Sequence, residues 1–99
     1  MNNEKAFRMI KGRFSDQIKL FNQYDVNSKD SDAQYLLVME RIELARVALE
    51  RAPQFKVTIL PRSLGDVYIA IKRNLTVEER VRWNGLNDEL EALHDKYGI

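Results

Sequence analysis

Phe55-Lys-Val-Thr-Ile-Leu60 and Val67-Tyr-Ile-Ala-Ile-Lys-Arg73 decide the fold, because they alternate while the rest of the chain repeats its apolar residues every three or four positions. Period two is the mark of a strand with one buried face. Pro61-Arg-Ser-Leu-Gly-Asp66 supplies turn formers between the two runs, so together they predict a β-hairpin. Its apolar side would carry Phe55, Val57, Ile59, Val67, Ile69 and Ile71, leaving Lys56, Thr58, Leu60, Tyr68, Ala70 and Lys72 on the other. A helix competes for the second run: Ser63, Leu64, Val67, Tyr68, Ile71 and Leu75 also fit helical spacing, and Ser63 with Asp66 could begin one. The strand is preferred because Val-Tyr-Ile-Ala-Ile is rich in β-formers.

Working outward, helices flank this segment. Phe7, Ile10, Phe14, Ile18 and Phe21 form one stripe of a first helix, starting at Asn2 or Asn3 and reaching about Gln23. Asp25-Val-Asn-Ser-Lys-Asp-Ser31 reads as the linker after it. Its aspartates do not make a calcium loop, since Asp30 stands where the glycine is needed and Leu36 where a bidentate glutamate is needed. Ser31 and Gln34 read instead as a capping box for a second helix, about Asp32 to Arg51, with Tyr35, Val38, Ile42, Ala45, Leu49 and Ala52 on its stripe and Leu37, Leu44 and Ala48 widening it. Pro53 ends that helix. Thr76-Val-Glu-Glu79 caps a last helix, along which Val77, Val81, Trp83, Leu86, Leu90, Leu93 and Tyr97 make a seam. Asn84-Gly85 offers a bend in it, and Gly98 suits a left-handed cap. The expected fold is therefore α+β, a single domain over residues 1–99 in the order ααββα: two antiparallel helices, a hairpin and a C-terminal helix. An all-α chain is the alternative.

At 99 residues the core is thin, which favours self-association as a homodimer. The chain has no cysteine, so disulfides and thiolate zinc sites are excluded. Met-Asn-Asn-Glu-Lys-Ala-Phe-Arg is no secretory signal and no apolar run is long enough to span a membrane, so a cytoplasmic location without membrane contact is expected. Asn74-Leu-Thr76 matches a glycosylation sequon, but Thr76 is better used as a cap.

Formal charge is only +1, yet it is unevenly spread. Met1 to Leu20 holds Lys5, Arg8, Lys11, Arg13 and Lys19 against Glu4 and Asp16, a balance of +3. From Thr76 on, Glu78, Glu79, Asp88, Glu89, Glu91 and Asp95 face Arg80, Arg82 and Lys96, a balance of −3. Opposite ends of this kind suit pairing within or between subunits. The stretch from Arg51 to Arg73 carries five basic residues and one acid. Its Lys56, Arg62, Tyr68, Lys72 and Arg73 are the candidate partner-binding residues. No catalytic, cofactor-binding or metal-ligating set appears: His94 stands alone near a helix end, Glu78 and Glu79 diverge on their helix, and no phosphate loop or triad spacing is present. The expected function is that of a small non-enzymatic regulatory or adaptor protein binding another protein through the basic hairpin and charged helix faces. The alternative is RNA or DNA binding by the same hairpin, with phosphate contacts and a Tyr68 stack.

Overall fold

Residues 2–52 and 63–99 are described by the structure, a computed structural model. They form four α-helices: α1 (Asn2–Asn22), α2 (Ser28–Arg51), α3 (Leu64–Arg73) and α4 (Val77–Lys96). Among the described residues there is no strand, so the α+β assignment is corrected to all-α. The first run of the supposed hairpin lies outside the described residues, as do Lys56 and Arg62. The second run is α3.

The reason is local and tertiary together. Ser63 is extended and its Oγ accepts the Asp66 N–H at 3.2 Å, which satisfies one free donor of the first turn. Asp66 at the start and Lys72 and Arg73 at the end complement the helix dipole. Helical spacing then buries Val67, Ala70 and Ile71 completely against α1 and α2, whereas Ile69, which the strand would have turned inward, is 51% exposed. The β-preference of valine and isoleucine is mostly a preference for packed surroundings, and here a helix provides them.

α2 is central, contacting each of the other helices. Gln34 Nε2 donates to the Gln17 carbonyl at 3.3 Å and Ser31 Oγ to Asn22 Oδ1 at 2.8 Å, so α1 runs antiparallel to α2. α4 does the same on another side: Arg51 bonds Glu79 at 2.6 Å at one end of α2 and Lys96 bonds Asp30 at 2.7 Å at the other. Between them, Ile10, Phe14, Val38, Leu49, Val67, Ile71 and Trp83 build the core.

α2 begins a turn earlier than its sequence suggests. Asn27 is the cap, its Oδ1 accepting the Asp30 N–H at 2.8 Å, while the expected capping pair is used elsewhere, Ser31 on Asn22 and Gln34 in the core. The last helix starts as expected, with Thr76 and Glu79 bonding each other's backbone N–H. It continues through Asn84-Gly85 as one helix and ends in a Schellman motif, Gly98 at φ +71° and the Ile99 N–H on the His94 carbonyl at 3.0 Å. Val77 and Val81, placed on its seam by spacing, face solvent instead, as do Tyr35, Leu36 and Met39 of α2. Among the described residues no helix is long and apolar enough to cross a membrane.

Candidate functional site

Gln34, Val38, Arg41, Ala45, Ala48 and Ala52 follow one another at steps of three and four along α2, and all are buried. Two of these six are polar. The first, Gln34, uses its amide N–H₂ on Gln17 but leaves Oε1 without a partner. The second, Arg41, is only 7% exposed and its Nε–H has no acceptor.

Aromatic rings surround the Arg41 guanidinium. Its Cζ lies 4.3 Å from the centroid of Trp83 and 5.0 Å from that of Phe14, distances at which a ring face attracts a cation. Tyr68 completes the group, its ring edge-on to Phe14 at 6.4 Å and to Trp83 at 6.3 Å. Burial lowers the Arg41 pKa, with Tyr68 and Glu91 acting the other way at longer range. An arginine starts so high that it keeps its charge. Burial raises the Tyr68 pKa, opposed by Arg41 and Arg13, so its phenol stays neutral at physiological pH. The result is a buried cation with rings for company and, among the described residues, no carboxylate in hydrogen-bond reach.

Two recesses meet above this residue. One, of about 320 Å³, is lined by Gln17, Arg41, Tyr68, Lys72, Trp83, Asn84 and Asn87. The other, of about 240 Å³, shares Gln17, Arg41 and Asn87 and extends past Leu90, Glu91, His94 and Asp95 to Ile99. α1 and α4 form the walls, α3 closes one end and α2 is the floor. Within it Asn87 Nδ2 donates to Glu91 at 3.2 Å, and His94 lies flat on Phe21 with ring centroids 5.2 Å apart. The cleft therefore offers a guanidinium, an ammonium and three primary amides to an acceptor, on partly aromatic walls. Among the described residues no group of histidine and carboxylate side chains could hold a metal ion.

Of the sequence-predicted contact residues, Tyr68 and Lys72 line this cleft and Arg73 does not. Tyr68 is half-buried in the aromatic group instead of standing out as a stacking platform. Lys72 and Arg73 are exposed. Within the chain the charged ends do not pair as expected: among the described residues the ion pairs involve α2 and α4, and none uses Arg8, Lys11, Arg13 or Lys19. A further recess of about 430 Å³ lies between the start of α1 and the end of α2, but its cation, Arg46, is already bridged to Glu43 and Glu50.

Compared with known proteins, the chain matches no family model, no curated protein and no solved structure.

Proposed function

We propose that this chain is a small cytoplasmic protein that acts by binding an acidic protein partner, not by catalysis, and that it presents the partner with the basic helical face of α1 and α3. One observation carries this reading: Arg13 of α1 and Lys72 of α3 are exposed cations with no ion pair among the described residues and both neighbour Tyr68, Lys72 one turn on along α3 and Arg13 near enough to act on its phenol, while Arg73, also exposed and without an ion pair among the described residues, adds charge at the adjoining edge of α3. Unneutralised charge on one face steers a complementary surface and fixes its orientation. A helix pair replaces the hairpin as the carrier of that charge. Self-association as a homodimer is supported by the exposed apolar side chains Tyr35, Leu36 and Met39 on α2.

The test is a binding measurement on the full chain with its charges reversed. A stoichiometric acidic protein copurifying with the parent and lost from Arg13→Glu/Lys72→Glu/Arg73→Glu, with helicity unchanged, is the expected result. Binding of a single-stranded oligonucleotide that falls steeply with salt, with no protein recovered, would move the assignment to nucleic acid. For the dimer, sedimentation should give twice the chain mass for the parent and a single chain for Leu36→Lys.

A further inference from the structure

We infer that the cleft above Arg41 is a binding site for a single carboxylate carried on a short stem. Arg41 is the starting point. It is more than nine-tenths buried, its Nε–H has no partner among the described residues, and it lines both recesses of the cleft. An unpaired buried charge is a costly feature that a core of this size has little reserve to carry, and a ligand that completes it recovers that cost on binding.

The chemistry of the lining selects the ligand. A guanidinium is a planar fork of donors whose spacing matches the two oxygens of a carboxylate, and Phe14 and Trp83 hold its plane in place. Gln17, Asn84 and Asn87 add amide donors from both walls, and Lys72 adds an ammonium at the α3 end. The negative groups of the same cleft set the upper limit on charge. Glu91 and Asp95 line the adjoining recess, so a dianion such as phosphate would bring a second charge towards them with no second buried cation to meet it. Tyr68, Trp83 and Leu90 leave apolar surface for a stem. A volume of about 320 Å³ is at the small end of ligand pockets and suits a side-chain-sized group. The carboxylate can belong to a free small acid or to a glutamate of a docked protein; the site shares Lys72 and Tyr68 with the docking face proposed above but does not rest on that role, since a free acid fills it without a partner.

Nitrogen-15 spectra of the full chain that resolve the arginine Nε–H signals test the assignment. Sodium acetate and N-acetylglutamate α-amide, each against sodium chloride at equal ionic strength, should shift the Arg41 Nε–H and Trp83 indole signals saturably. Arg41→Lys should weaken both by about tenfold or more, because a point ammonium cannot reproduce the fork. Two exposed variants, which carry the test if Arg41→Lys does not fold, should move affinity in opposite directions: Lys72→Gln loosens binding, and Glu91→Gln tightens it by removing a like charge. Saturation by acetate alone assigns the site to free acids, and saturation by the blocked glutamate as well extends it to a partner's side chain. Shifts that follow ionic strength only, equal affinity in Arg41→Lys of parental helicity, or tighter binding of inorganic phosphate than of acetate would each overturn the inference.

Discussion

Arg41 is a buried cation on the floor of the cleft, and substitution separates its stability role from its binding role. A buried charge replaced by an apolar side chain of similar length usually leaves stability unchanged or raised, because the desolvation it suffers disappears with it. Arg41→Met should therefore unfold in urea at a midpoint equal to or above that of the parent, while losing carboxylate binding. Arg41→Ala should lose about 2 kcal/mol or more, since the stem that fills space beneath Phe14 and Trp83 is gone. The same urea titration reads both. A midpoint for Arg41→Met far below the parent would mean that the guanidinium has native partners that stabilise the fold. None of this is visible when Arg41 is read as one charged residue among Glu40, Ile42 and Glu43. The signal that could have found it is its step of three from Val38 and four from Ala45, which puts a cation on a stripe otherwise apolar or small. Gln34 gives the same signal, and its apparent use in a capping box concealed it. The candidacy of Tyr68 and Lys72 was legible in the sequence because charge beside an aromatic ring is a surface pattern. Their depth in the cleft was not, because it depends on how α3 meets α1 and α4.

α3 teaches the matching lesson about helices and strands. Its sequence satisfies both periods, and the outcome is decided by Ser63 at the cap and by the apolar faces of α1 and α2 waiting to be covered. The two readings differ at neighbouring positions, which makes them separable in solution. Ile69→Lys should change stability by no more than about 0.5 kcal/mol because Ile69 faces solvent, whereas Ala70→Lys should cost several times that by forcing a charge into the core. A strand would reverse the order. Thermal unfolding of the two variants decides between them. The other helices were legible in their spans because a single period runs along each, and α4 in its ends too, where caps agree at Thr76 with Glu79 and at Gly98; the start of α2 was not, because Ser31 with Gln34 imitates a capping box while Asn27 is the cap. At Gly85 the sequence left a bend and a continuous rod equally open, because the helix cost of glycine weighs against an otherwise unbroken seam, and the continuous helix forms. Neither Gly85 nor Gly12 has any heavy atom within 4 Å of where a Cβ would stand, so no close approach requires them. Gly12→Ala and Gly85→Ala should each raise stability by about 1 kcal/mol, measured as a higher melting temperature with unchanged spectra.

Charge organises the assembled bundle at the two ends of α2, and this gives the molecule its acid response. At one end Arg51 bonds Glu79, with Thr76 adding its backbone N–H, and together they hold the Glu79 carboxyl down from its ordinary 4.5 to about 2. At the other, Lys96 and then the Tyr97 hydroxyl lower the Asp30 carboxyl below its ordinary 3.8. Both pairs join α4 to α2, so the pH response belongs to helix docking. Because each carboxyl ionises more readily in the folded chain than in the unfolded one, the unfolded chain takes up protons first on acidification. The stabilisation is present in full above the unfolded values near 4.5 and 3.8, and for Glu79 it disappears as pH falls through about 2. The melting temperature should thus be flat from pH 7 to 5 and fall from there to pH 2. Glu79→Gln should melt lower than the parent at pH 6, show a shallower decline, and meet the parent curve near pH 2. Asp30→Asn should flatten the remaining slope. Because the pairs are partly exposed, about 0.5 M salt should shrink the difference between parent and Glu79→Gln at pH 6, where the charges are intact, and leave the apolar contribution to docking in place. An unchanged acid slope in both variants would mean that α4 is held to α2 by Trp83, Leu86 and Leu90 and the Arg82–Glu40 pair between the ends, with the end pairs contributing alignment and no stability.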